Sequence, residues 1–142
     1  MKHTELTAIP AIETATEPIR SEADLRQRWR AVMGPLGFGE RLLRFVLVGP
    51  NRCFLKVLSD IEIPAAPDPT LVADLMAVLS DFLTTFEPGT TVAFCLTRPG
   101  LGSVSRVDRR WASLIRDCAA DFEVPVEPFF RVNDEALLQV AA

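Results

Sequence analysis

The residues best suited to chemistry in this chain lie in one short stretch, Arg98-Pro99-Gly100-Leu101-Gly102-Ser103, followed by Ser105-Arg106-Val107-Asp108. An apolar run precedes it and an amphipathic one follows, so it joins a strand to a helix. The amides of such a loop, with Arg98, suit an anion held at a helix N-terminus. Ser105 and Asp108 also form the two halves of a capping box, which explains both residues without any ligand. The third glycine of a dinucleotide-binding loop is missing, and no Walker loop is present. The candidate ligand-binding set is therefore Arg98, Gly100, Gly102, Ser105 and Asp108, although a plain strand-to-helix turn with a capping Ser is the favoured reading of the loop.

Other centres lack a necessary part. The single histidine, His3, lies in a segment without periodic apolar residues, so a Ser-His-Asp or Cys-His centre has no positioned base. Cys53, Cys95 and Cys118 are widely spaced in apolar runs, the pattern of small core side chains; no zinc spacing and no disulfide framework is visible. Asp60 and Glu62 alternate with Ile61 and Ile63 as the exposed face of a strand does. Trp29 and Trp111 fall on apolar helix faces and are expected in the core. Arg106, Arg109, Arg110 and Arg116 offer a local basic patch, but Asp108, Asp117 and Asp121 are interspersed, which favours a solvated face. No catalytic residue, metal or cofactor is expected.

The elements that position these residues can be read from punctuation and period. Residues 1–20 mix Thr, Glu, Pro and Ala and read as a flexible arm, leaving 21–142 as one domain. Ser21 caps a helix carrying Leu25, Trp29 and Val32, which ends near Gly34-Pro35. Leu42 to Val48 and Cys53 to Leu58 flank Gly49-Pro50-Asn51, the signature of a hairpin whose first strand is central. Asp68-Pro69 opens a helix with Leu71, Val72, Leu75, Met76, Val78, Leu79, Phe82, Leu83 and Phe86 at helical spacing. Thr91 to Leu96 is a buried strand, and the helix from Ser105 turns Val107, Trp111, Leu114, Ile115, Cys118 and Phe122 inward. Val124 to Val132 is a strand that Pro125 and Pro128 place at an edge or in a bulge. An apolar edge at Phe129 and Phe130 would invite two-fold association. The segment from Glu135 to Val140 is left open between strand and helix.

The order α-β-β-α-β-α-β predicts an α/β (α+β) fold, a mixed central sheet with helices packed on its faces. With 142 residues, 49% of them hydrophobic, one core can form without staples. A net charge of −4 argues against nucleic acid as partner. No apolar run is long enough to cross a bilayer and no export signal is apparent, so the expected setting is cytoplasmic.

The stretch from Arg44 to Phe122 resembles the JAB/MPN metalloprotease-like domain, especially its RadC-type branch. In that family a strand ends in His-x-His-Pro and Ser-x-x-Asp opens the next helix; here the strand ends Leu96-Thr97-Arg98-Pro99 and Ser105-Arg106-Val107-Asp108 follows. The proline, serine and aspartate have counterparts, whereas Leu96 and Arg98 occupy the places of the metal-binding histidines, and the spacing from Pro99 to Ser105 is a residue short. The resemblance implies a three-layer, cytidine-deaminase-like arrangement without zinc hydrolysis. It puts a fixed cation, Arg98, where the family holds a metal, either to bind a carboxylate or phosphate or to pair with Asp108 and close the site. Catalytically dead members of that class serve as scaffolds, so a protein partner or homo-oligomer is the leading expectation, and a small-molecule or anion-binding regulatory domain using the 98–105 loop is the alternative.

Overall fold

Ser21 starts the first long helix because its hydroxyl accepts the Asp24 amide at 3.1 Å, while Glu22 and Asp24 sit at the positive end of the helix dipole. This helix, α1, runs Glu22–Met33 in the computed structural model, which describes residues 9–34, 36 and 39–140. It is followed by β1 (Leu42–Val48), β2 (Phe54–Glu62), α2 (Pro69–Leu83), β3 (Thr91–Thr97), α3 (Arg106–Asp121), β4 (Phe130–Val132) and β5 (Leu137–Gln139). The strands form one mixed sheet in the order β2-β1-β3-β4-β5, in which only β3 and β4 are parallel.

The alternation of side chains along β3 divides the core in two. Ala93 and Cys95 pack with Leu25, Trp29 and Met33 of α1, where Trp29 meets Phe54 edge-on at 5.4 Å. Val92, Phe94 and Leu96 face the other way, against Val72, Met76 and Leu79 of α2 and Trp111, Ala112 and Ile115 of α3. Among the described residues the result is three layers, with α1 on one face of the sheet and α2 and α3 on the other. Both tryptophans are fully buried core residues, as their spacing predicted.

The hairpin forms where the glycine-proline signal placed it: the Gly49 amide donates to the Cys53 carbonyl at 2.9 Å and the Arg52 amide to the Gly49 carbonyl at 2.8 Å. Arg52 takes the left-handed conformation, with φ of 66°. β1 is central, as expected, and β2 extends as far as Glu62, so Asp60 and Glu62 are exposed on an edge strand with Asp60 opposite Arg44. Charges on such an edge oppose pairing with another chain.

Four expectations are corrected. Residues 1–8 of the arm, with Lys2 and His3, lie outside the described residues, but of the remainder Ile12–Thr16 form a 3-10 helix, and Ile19 is buried and donates its amide to the Arg52 carbonyl at 2.7 Å. The strand expected from Val124 to Val132 is reduced to its last three residues, preceded by a lone bridge between Val126 and Val92. That strand is not an edge, because β5 covers it. Pro125 is tolerated because the parallel pairing uses its carbonyl, which accepts the Val92 amide, while Glu127 supplies the N–H that returns to Val92. Phe129 and Phe130 are accordingly buried, and the apolar edge expected to pair two copies is absent. On α2, Val78 and Phe82 are 65% and 49% exposed, because the buried stripe is the narrower one of Val72, Met76 and Leu79. The segment left open after Glu135 is strand β5.

Candidate functional site

Asp108 is carried to the end of β3 by its own capping box. The Ser105 hydroxyl accepts the Asp108 amide at 3.1 Å, and the Ser105 amide donates to Asp108 Oδ2 at 2.9 Å. Arg98, one residue beyond β3, is fixed by its amide, which donates to the Val132 carbonyl at 2.9 Å. These constraints aim the guanidinium at the carboxylate in a two-pronged fork: Nε donates to Oδ1 and Nη2 to Oδ2, both at 2.9 Å. Arg131 approaches from β4, its Nη1 lying 3.6 Å from Asp108 Oδ2. Asp108 is 1% exposed, Arg98 9% and Arg131 0%.

The electrostatics follow from this crowding. Burial opposes the charge on Asp108, but the hydrogen bonds from Arg98 and the Ser105 amide, with the charges of Arg98 and Arg131, outweigh it and hold the carboxyl below its ordinary range. The Asp108 hydrogen bond raises Arg98, whereas burial lowers Arg131. Arg131 is further held by the carbonyls of Gly102 at 3.2 Å and Ala136 at 3.5 Å, and its Nε has no partner among the described residues. Burial also raises the Cys95 thiol, on β3, so it behaves as a small apolar core residue.

The candidate ligand-binding residues are thus gathered at one end of the sheet, but most of their donors are used internally. The Gly100 amide donates to Asp134 Oδ2 at 2.8 Å and the Gly102 amide to Glu135 Oε1 at 2.7 Å. Both glycines have positive φ, at 103° and 98°, which lets the loop turn these amides toward the β4-β5 turn. Asn133 completes the clasp: its Nδ2 donates to the Gly102 carbonyl at 3.0 Å, and its Oδ1 accepts the Glu135 and Ala136 amides, each at 3.0 Å. Carboxylates of the chain itself therefore occupy the places expected for an outside anion.

Above the fork lies a cleft of about 470 Å³ bordered by Arg41, Ala65, Ala66, Leu101, Ser103, Val107 and Arg110, with Arg98, Ser105 and Asp108 at its base. Trp111 Nε1 donates to the Ala65 carbonyl at 3.2 Å and so anchors that wall. Asp108 is the cleft's only carboxylate among the described residues, and Asp60 and Glu62 do not line it. No group of three or more His, Cys, Asp and Glu side chains among the described residues is arranged to hold a metal ion. No protein-family model matches the chain, and no match is found among curated proteins.

A separate, mostly apolar hollow of about 430 Å³ lies between α3 and the segment 126–129, with Glu127 at its rim. Glu127 is already committed: Arg52 forks onto it at 2.7 and 2.9 Å, and the Thr91 hydroxyl donates to it at 2.6 Å. Arg131 and Asn133 join the site without belonging to the set expected from sequence. The only trace of Arg131 is a charge between Phe130 and Val132, which puts it on the opposite face of the strand from those two residues. Nothing in the linear order says that its counter-ion sits on α3.

Proposed function

We propose that this chain is a non-catalytic interaction module resembling a metal-free JAB/MPN domain. The observation that carries this reading is the Arg98–Asp108 fork. In the resemblance, Asp108 matches a metal ligand and Arg98 stands in place of a histidine. A guanidinium cannot donate electrons to a metal and is not deprotonated near neutral pH, and both carboxylate oxygens are engaged by its N–H groups. The residues present do not fit a zinc ion, and no hydrolytic step is assigned to the site.

A buried ion pair with a second arginine behind it is better suited to holding loop 98–105 in one shape than to turnover. A rigid loop on a three-layer scaffold is what a binding surface needs. The alternative, a small-molecule or anion-binding domain using that loop, is disfavoured by the internal use of the Gly100 and Gly102 amides. Localisation in the cytoplasm stays part of this proposal; the supporting fact is that no described helix is long and apolar enough to cross a membrane.

The test is metal analysis of protein purified without a tag, followed by zinc titration and a peptidase assay. The expected result is substoichiometric zinc before and after titration and no cleavage. One tightly held zinc ion per chain overturns the reading.

A further inference from the structure

In sequence the arginines of α3 look neutralised by neighbouring acids, but the fold separates the two signs. Asp108, the only acid among residues 106–116, is turned inward and spent on Arg98. Asp117 lies about 10 Å along the axis from Arg110 at 1.5 Å per residue, beyond the roughly 8 Å screening length of physiological salt. It also has its own partner in Arg116, at 3.7 Å. Asp134 and Glu135, the acids of the adjoining turn, bond the Gly100 and Gly102 amides, and the charge of Asp134 acts on Arg98 rather than on an arginine of α3. Among the described residues Arg106, Arg109 and Arg110 form no ion pair, and they lie at the end of α3 where the helix dipole adds to their charge.

These cations line two hollows in succession. The cleft of about 470 Å³ carries Arg41 and Arg110 beside the already paired Arg98, and a second of about 370 Å³, bounded by Pro67 and Pro69, carries Arg106, Arg109 and the same Arg110. We propose that this double hollow along the N-terminal half of α3 is the docking surface for an acidic peptide segment of a partner protein. The proposal rests on the interaction-module reading and names the chemistry of its partner.

Three features favour a peptide over other anions. Two hollows joined at Arg110 suit an extended chain with charges at intervals better than a single small anion. Leu101, 70% exposed at the rim of the first, and Leu114, in the second, offer apolar footholds between the charges. No aromatic side chain lines either hollow among the described residues, so nucleic-acid bases have no stacking surface there. In a chain of net charge −4, a local basic strip also steers an acidic segment to this face rather than elsewhere.

The experiment measures binding of the full chain to a fluorescein-labelled polyglutamate peptide of about ten residues, by anisotropy at several salt concentrations. The double variant Arg106→Ala, Arg110→Ala changes two exposed side chains, and Arg116→Ala on the same helix is the control. Expected is a loss of about tenfold in the double variant with little change in the control, since two exposed charge contacts are removed from the strip alone. Absence of binding, an equal loss in the control, preference for a single-stranded oligonucleotide of equal charge, or full competition by millimolar inorganic phosphate would each overturn the proposal. Zinc analysis of the same sample judges the interaction-module reading separately, so either idea can fail alone.

Discussion

Asp108 and Arg131 face each other across the junction of α3 and β4 at 3.6 Å, both essentially without solvent contact. One carboxylate thus serves two guanidinium groups, one in a direct fork and one at slightly longer range. Arg98 borders the open cleft, whereas Arg131 has no route to water.

This asymmetry predicts an order of stabilities. Asp108→Ala strands both cations and removes half of the capping box, at a cost of about 3–5 kcal/mol. Arg98→Ala leaves Asp108 with the Ser105 amide and Arg131, so its cost is smaller, about 1–3 kcal/mol. Urea unfolding of the two variants checks the order. Equal or inverted costs would show that Arg131 does not share the carboxylate.

The same groups set a pH dependence. Asp108 and Glu127 are both held below the ordinary carboxylate range, Glu127 chiefly by the hydrogen bond from Arg52. A depressed folded value means that their contribution is fully present above the unfolded value of about 4 and is lost as pH falls through the lower folded values. Unfolding free energy should therefore be flat from neutrality to about pH 5 and decline below it. In the double variant Asp108→Asn, Glu127→Gln, the acid decline should be clearly shallower. An unchanged slope would assign acid sensitivity to other carboxylates.

Arg52 combines two opposing effects, a fork onto Glu127 and a left-handed backbone. Arg52→Ala loses the pair and keeps the backbone cost, while Arg52→Gly loses the pair and relieves it. The glycine variant should be more stable than the alanine variant by roughly 1 kcal/mol. Thermal unfolding of the two proteins measures this directly. If alanine is the more stable, the left-handed turn at residue 52 is not maintained in solution.

Much of the architecture was legible because it is written in local signals. Ser21, Asp68 and Ser105 announce helix starts through groups within three residues of themselves, and the glycine-proline pair at 49 and 50 announces the hairpin. The capping box at Ser105 and Asp108 was legible for the same reason. By contrast, the prolines at 125 and 128 pointed to an edge because sequence shows a missing donor but not which atoms the neighbouring strand will use. Val78 and Phe82 looked buried because a helical period marks a face without showing how much of it a sheet will cover.

By itself, then, the sequence determined the mixed α and β composition, the order of the elements and the caps that start the helices, since each depends on neighbours along the chain. Only the tertiary structure decided that Arg98 closes on Asp108, that Arg131 stands behind them, and that Asp134 and Glu135 occupy the loop amides. These contacts join residues separated by 10 to 34 positions, and the strength of the buried Arg98–Asp108–Arg131 cluster comes from exclusion of water, which exists only after the layers have packed.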